Sequence, residues 1–255
     1  MDYSFTPLTF AMLIGSGVIA GFVNTLAGGG SFLTLPALML LGMPADVANG
    51  TNRVGVLIQS LEGVRGFDRH GVLDRSAIVA ILAPTLSGSV MGALLAARLP
   101  LDILKPVLLG TMMVMAALMV LRPSVVAPPP GTPVRRLRDA PSGFVWLFVA
   151  GVYGGFVQAG VGFVLITALA GILRYDLVRT NALKMVCTAA FSVMALAVFI
   201  WHDQVLWLPG LVLAAGTVIG VRLSVRFALK VSQQVLRWLL LVTVIGVCLA
   251  AWFSG

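Results

Sequence analysis

The sequence predicts an all-α polytopic membrane protein made of two inverted repeats, each of four long transmembrane helices plus one short broken helix. Three observations carry this. The chain has 255 residues, of which 59% are hydrophobic and only 10% charged, and its mean hydropathy is +1.04, more apolar surface than a soluble domain of this size can bury. Two glycine-rich breaks interrupt the apolar sequence, Ala27-Gly28-Gly29-Gly30-Ser31-Phe32 and Ala159-Gly160-Val161-Gly162-Phe163, 132 residues apart. Each is followed, 19 residues after its last glycine, by an asparagine, Asn49 or Asn181, and then by a cation on the same helix face, Arg53 or Lys184.

The stretch from Tyr3 to Ala45 has 43 residues and no charge, about twice what one helix needs to cross a ~30 Å hydrocarbon core. It must turn back once, at Gly28-Gly29-Gly30, leaving a full helix near 7–27 and a short one near 31–42 that ends at Gly42-Met43-Pro44. The opening Met1-Asp2-Tyr3-Ser4-Phe5 lacks a basic n-region and no A-x-A-like site follows, so the first apolar run is expected to remain as a transmembrane segment. Segments near 47–65, 76–97 and 103–121 complete a first repeat, residues 1–122. Residues 123–141 hold Ala127-Pro128-Pro129-Pro130-Gly131-Thr132-Pro133 and then Arg135, Arg136 and Arg138, which cannot continue a helix and read as a linker. The second repeat, 142–255, forms its own long and short pair up to Leu173, followed by segments near 179–201, 204–224 and 233–253.

Every loop is short, so the Lys/Arg bias sets orientation. If both short helices cross, thirteen of seventeen basic residues fall on one side: Arg65, Arg69, Arg75, Arg122, Arg135, Arg136, Arg138, Arg174, Arg179, Arg222, Arg226, Lys230 and Arg237. That side is expected to be cytoplasmic, with both termini outside. Five crossings per repeat is odd, so the second copy is inverted, and a pseudo-two-fold axis in the membrane plane brings the two glycine breaks together near the midplane.

The net charge of +8 sits in loops rather than in an aromatic-interleaved patch, which argues against nucleic acid as a partner. Membrane lipids are the expected surroundings, with Trp201 and Trp207 as interfacial anchors. Cys187 and Cys248 lie in apolar stretches and read as packing residues. His70 and His202 lie in or beside separate loops, so no zinc site and no nucleophile–base pair can be assembled from them. No catalytic constellation is found and no cofactor or metal is implied. The chain does not read as an enzyme.

A broken helix in lipid survives only where protein or a water-filled cavity satisfies its backbone. Helix N-termini at Ser31 and Phe163 would aim free N–H groups at such a space, an anion-binding arrangement. The competing explanation is close helix packing, which Gly88-x-x-x-Gly92 is expected to serve. The 47–65 segment carries Asn49, Thr51, Asn52, Arg53, Gln59, Ser60 and Glu62, so it cannot face lipid. A basic group at the centre of a membrane helix costs about 2.5–3.5 kcal/mol, so Arg53 and Lys184 need a partner or a bound anion unless they snorkel to the boundary. Asn49 and Asn181, with Gln59 and Gln158, suit the oxygens of a small oxyanion, although helix capping is an alternative for the asparagines. The candidate substrate site therefore comprises Gly28, Gly29, Gly30, Ser31, Asn49, Thr51, Asn52, Arg53, Gln59, Gln158, Gly160, Gly162, Asn181 and Lys184. Asp46 and Glu62 are the candidates for coupling to protons or another ion.

The residues from Gly21 to Ala37 (GFVNTLAGGGSFLTLPA), followed by Ala48-Asn49-Gly50-Thr51-Asn52-Arg53, resemble the sulfite exporter TauE/SafE family. The second half agrees, with Gly154-Gly155-Phe156-Val157-Gln158-Ala159-Gly160-Val161-Gly162-Phe163 and Asp176-Leu177-Val178-Arg179-Thr180-Asn181-Ala182-Leu183-Lys184. The resemblance covers nearly the whole chain. It implies outward, gradient-driven transport of a small sulfur-containing anion such as sulfite, sulfoacetate or a related organosulfonate, in the bacterial inner membrane. Val161 stands where the first copy has Gly29, which predicts unequal half-sites. The leading expectation is a secondary transporter; an anion channel of the same architecture shares the residues, and a membrane-embedded enzyme or assembly factor is the reading from a different class.

Overall fold

The structure is a computed structural model that describes residues 6–26, 28–121, 128 and 132–230. Its regular elements are all helical: α1 (Pro7–Leu26), α2 (Ser31–Leu40), α3 (Ala45–Arg69), α4 (Ile78–Arg98), α5 (Leu101–Leu121), α6 (Pro141–Phe156), α7 (Val161–Ile166), α8 (Leu177–Trp201) and α9 (Trp207–Lys230). A 3₁₀ turn, Arg75–Ala77, leads into α4, and α7 continues as a π-helix over Thr167–Ile172. Among the described residues four helices are long and apolar enough to cross a membrane, Pro7–Leu26, Arg75–Arg98, Leu177–Trp201 and Trp207–Lys230. The expected segment at 233–253, Cys248 and much of the linker lie outside the described residues.

Helix ends depart from the sequence expectation for local reasons. Asp176 accepts from the backbone N–H groups of Val178 and Arg179 at 3.0 and 2.9 Å, so α8 begins at Leu177 rather than 179. Helix α3 continues past 65 to Arg69 because its last turn is polar, and Asp68 there takes two hydrogen bonds from Arg75, at 3.0 and 2.7 Å. That bonding holds the Asp68 carboxyl below its ordinary range. The second short helix starts at Val161, two residues before the expected Phe163. Gly160 makes the corner in a left-handed conformation, and Val161 enters a helix more readily than Gly29 does at the matching place.

Helix α1 packs along α9 and α4 along α6, while α3 and α8 pack on each other and on α9 and α4 respectively. The first two contacts are backbone to backbone. Cβ atoms built at Gly17 and Gly21 would lie 2.7 and 2.3 Å from the carbonyl oxygens of Leu213 and Thr217, and one at Gly92 would lie 2.0 Å from that of Val152. The order of these contacts fixes direction. Ile14, Val18 and Phe22 meet Gly216, Gly220 and Ser224 in turn, so α1 and α9 are parallel. Gly55 and Gly66 meet Leu213 and Val225, so α3 also runs with α9 and hence with α1; the short α2 returns the chain between them. Gly50 meets Phe199 and Gly63 meets Met185, so α8 runs against α3.

The Gly88-x-x-x-Gly92 expectation of close packing therefore holds. Gly92→Ala is expected to force α4 and α6 apart and cost about 3 kcal/mol, read as a lowered melting temperature in detergent. Gly110→Ala on α5, with nothing within 4 Å of its Cβ, is the control and should not destabilise.

Candidate functional site

The two glycine breaks touch. Gly28 and Gly160 share φ = +81°, the left-handed region that glycine occupies without cost. A Cβ at Gly28 would lie 2.2 Å from the Cα of Gly162, and one at Gly160 would lie 2.8 Å from Cζ of Phe32. Gly29 closes the first turn of α2, its carbonyl accepting from the Phe32 N–H at 3.1 Å.

Each half sends one buried cation to the broken helix of the other. Arg53, 0% exposed, lies at the end of α6. Its Nη1 donates to the Gly154 carbonyl and, at 2.7 Å, to Gln158 Oε1. Its Nη2 donates to the carbonyls of Gly155 and Phe156 at 3.0 and 3.2 Å and to Asn49 Oδ1 at 3.2 Å. A helix leaves its last four carbonyls without intrahelical donors. In α6 the Tyr153 carbonyl is served by the N–H groups of Val157 and Gln158, and Arg53 serves the next three. Lys184, 1% exposed, does the matching task for α1: its Nζ donates to the Thr25 carbonyl at 2.8 Å and to Asn181 Oδ1 at 2.9 Å. The negative end of each helix dipole thus faces a cation from the other half.

This geometry removes two of the alternatives. Snorkelling fails because both cations are buried. Capping fails because Asn49 and Asn181 are each the fifth residue of their helix, inside α3 and α8, with Asp176 capping α8 instead. Each asparagine orients its own half's cation, and Asn49 Nδ2 also donates to the Phe156 carbonyl at 2.9 Å.

The other candidates distribute around this pair. Asn52 joins Ser31 and Thr34 at the start of α2, donating to Ser31 Oγ at 3.2 Å and accepting from Thr34 Oγ1 at 2.7 Å. Gln158, held at φ = +69° beside Gly160, links Arg53 to Ser192 Oγ at 3.4 Å. Thr51 faces elsewhere, its Oγ1 accepting from the Leu206 N–H that precedes α9. Gln59 is buried on α3 but is not among Arg53's partners. Asp46 Oδ2 accepts from Gln204 Nε2 at 3.4 Å, and the remaining oxygens, Asp46 Oδ1 and Gln204 Oε1, are buried without a partner among the described residues. Glu62 pairs with Arg222 at 2.7 Å and Arg65 at 3.8 Å, at the basic end of α3.

Sequence reasoning missed the carbonyls of Thr25, Gly154, Gly155 and Phe156, which no side-chain pattern announces. It also missed Phe199, whose ring centre lies 5.4 Å from the Arg53 guanidinium carbon, and Thr34, for which the Ser31-x-x-Thr34 spacing was a usable signal. The cluster is enclosed by protein in this conformation: Asn49, Asn52, Gln158 and Asn181 are as buried as the cations. One donor remains over, Arg53 Nε, buried and without a partner among the described residues. Two desolvated cations are held by neutral oxygens, backbone carbonyls and the side-chain amide oxygens of Asn49, Gln158 and Asn181, acceptors for which an oxyanion can exchange.

Comparison with known proteins adds a lineage to this geometry. The family model described as Sulfite exporter TauE/SafE matches residues 13–251. The protein of Sinorhizobium sp named "Probable membrane transporter protein ORF9" is 27% identical over 250 residues, 97% of this chain and 93% of that one. "Probable membrane transporter protein YfcA" of Escherichia coli (strain K12) is 28% identical over 232 residues, 91% and 85% of the two chains. A "Probable membrane transporter protein" of Haemophilus influenzae is 28% identical over 229 residues, 89% and 88%.

Proposed function

The chain is a membrane transporter of the sulfite exporter TauE/SafE family, and from that premise we propose that it is a secondary exporter of small sulfur-containing oxyanions, sulfite or sulfoacetate among them. The observation that carries this is the reciprocal capping, in which Arg53 holds the broken end of α6 and Lys184 that of α1. The two halves form inverted repeats in this reading. Supporting it, exchanging the halves maps the α1–α9 contact onto α6–α4 and α3–α9 onto α8–α4, and α1 runs parallel to α3, as it must if the short helix crosses back. The basic ends of α3 and α9 then face the cytoplasm.

Transport follows from exchange of partners. An arriving oxyanion offers Arg53 and Lys184 charged acceptors in place of neutral carbonyls, adding ion pairing to bonds that so far have charge on the donor alone, and it matches the planar guanidinium fork. The broken helix ends are released as the anion is gripped, so binding is linked to movement of one half against the other. A buried site also suits alternating access better than an open pore. Of the coupling candidates, Asp46 is the one with unsatisfied buried oxygens beside it, and it shares the α3 face of Asn49 and Arg53; Glu62 is already paired.

The test is uptake of labelled sulfite, sulfoacetate, sulfate and acetate into proteoliposomes, with and without a pH gradient. Wild-type protein is expected to give saturable, gradient-stimulated flux of a sulfur anion. Lys184→Met, folded by its melting profile, should lower it at least tenfold, the approximate value of a charge-assisted hydrogen bond. Asp46→Asn should keep binding and lose the gradient response. Flux of none of these anions through folded wild-type protein, or full flux in Lys184→Met, would sink the proposal.

A further inference from the structure

A second cationic feature lies apart from the central pair. The linker residues before α6, the start of α4 and the turn before α8 enclose a cavity of about 500 Å³. Arg135, Arg136 and Arg138 line it together with Ser76, Asp74 and Tyr175. Its place in the fold is held by the Arg135 N–H, which donates to the Leu173 carbonyl at 2.9 Å. Its one lining carboxylate is tied to the wall: Asp74 Oδ1 accepts from the Ser76 N–H at 3.1 Å and from its hydroxyl at 2.6 Å, and Oδ2 from the Tyr175 hydroxyl at 2.9 Å. The Ser76 hydroxyl, ahead of Tyr175, holds this carboxyl below its ordinary range, so it is charged and already satisfied.

Three arginines thus face one engaged carboxylate. Arg138 has an exposed partner in Asp139 at 3.7 Å, and neither Arg135 nor Arg136 has an ion-pair partner among the described residues. The opposite wall is apolar, formed by Ala77 at the end of the 3₁₀ turn and by Ala80 and Ile81 in the first turn of α4, a helix long and apolar enough to cross a membrane. The neighbouring Val79 is an apolar side chain 80% exposed on the same helix. A cationic rim above an apolar wall at the membrane boundary matches an amphiphile with an anionic head, and the guanidinium fork matches phosphate oxygens.

We propose that this cavity binds the phosphate group of an anionic phospholipid headgroup, with the lipid's chains lying along α4. The bound lipid tethers the linker to Leu173 and Tyr175, the turn that feeds Asp176 and hence the α8 helix carrying Asn181 and Lys184.

Lipid association with full-length protein tests this without any flux measurement, so failure of the sulfur-anion reading leaves it untouched. Purified protein in mixed micelles is presented with spin-labelled phosphatidylglycerol or phosphatidylcholine, and the preference for the anionic lipid is measured. Replacing Arg135, Arg136 and Arg138 with Gln is expected to lower that preference at least about fivefold. Ala80→Phe, which fills the cavity and keeps every charge, should do the same. Arg65→Gln with Arg69→Gln, at the same end but outside the cavity, should leave it unchanged. Millimolar inorganic phosphate should fail to displace the lipid; displacement would make free phosphate the ligand and overturn the lipid assignment. Wild-type preference in Ala80→Phe, or an equal loss in the Arg65/Arg69 variant, would mean diffuse surface electrostatics and overturn the site.

Discussion

Arg53→Ala is expected to abolish anion flux and to destabilise the protein by about 3–5 kcal/mol, read as a large fall in melting temperature alongside loss of uptake. The reason is an inventory of acceptors. Arg53 serves the Gly154, Gly155 and Phe156 carbonyls, Gln158 and Asn49 with four N–H groups. In the alanine variant the Phe156 carbonyl keeps Asn49, but those of Gly154 and Gly155 lose the donor that Arg53 supplied. Each buried carbonyl left without a donor costs about 1–3 kcal/mol, and the void adds a packing term. Arg53→Lys separates the two effects. A lysine keeps the charge but has three donors and no planar fork, so it should recover part of the stability and little of the flux. Wild-type stability in Arg53→Ala would show that the end of α6 needs no cap from α3.

Gly28→Ala is expected to be nearly as severe, and far worse than Gly160→Ala, although both sites have φ = +81°. At Gly28 the new Cβ would sit 2.2 Å from the Cα of Gly162, so backbone from the opposite break must retreat and the register of both cations is lost. At Gly160 the nearest atom, 2.8 Å away, is the far end of the Phe32 ring, which can swing. Gly42→Ala isolates the conformational term, because Gly42 has φ = +86° and nothing within 4 Å of its Cβ; it should cost about 1–2 kcal/mol. Gly160→Ala should lie slightly above that and Gly28→Ala well beyond it, with loss of correctly folded protein on size-exclusion chromatography. Equal melting temperatures for the three would mean that backbone strain alone, and not contact between the breaks, makes Gly28 indispensable.

Both substitutions act on one device, two interrupted helices that meet at their glycines and are each closed by a cation from the other half. The reciprocity explains why the cations tolerate full burial. Helix-end carbonyls supply the partial negative charge that lipid cannot, and the asparagine one turn back along each helix holds the cation in line. It also means that the anion-binding donors of the proposed transport cycle are occupied in this conformation, so affinity and conformational change draw on the same hydrogen bonds.

Much of this was legible in the chain. Uninterrupted apolar length forced membrane helices, because hydrocarbon admits no unsatisfied backbone, and the glycine breaks, which meet in the structure, recur with their asparagines along the chain at a 132-residue offset. The polarity of the 47–65 stretch called for enclosure by protein for the same reason, and Asn49, Thr51, Asn52, Arg53, Gln59 and Ser60 are all buried. Helix ends were read less well, since α3 and α8 are set by Asp68 and Asp176, single residues whose terminal or capping contacts outweigh hydropathy. Composition and spacing along one chain thus determined the all-helical class and singled out Arg53 and Lys184, the two cations that the fold buries. Only the tertiary structure decided what those cations touch: their partners are backbone carbonyls more than 100 residues away, and every residue carries the same carbonyl, so no pattern of side chains can say which ones will be left at a helix end for Arg53 and Lys184 to hold.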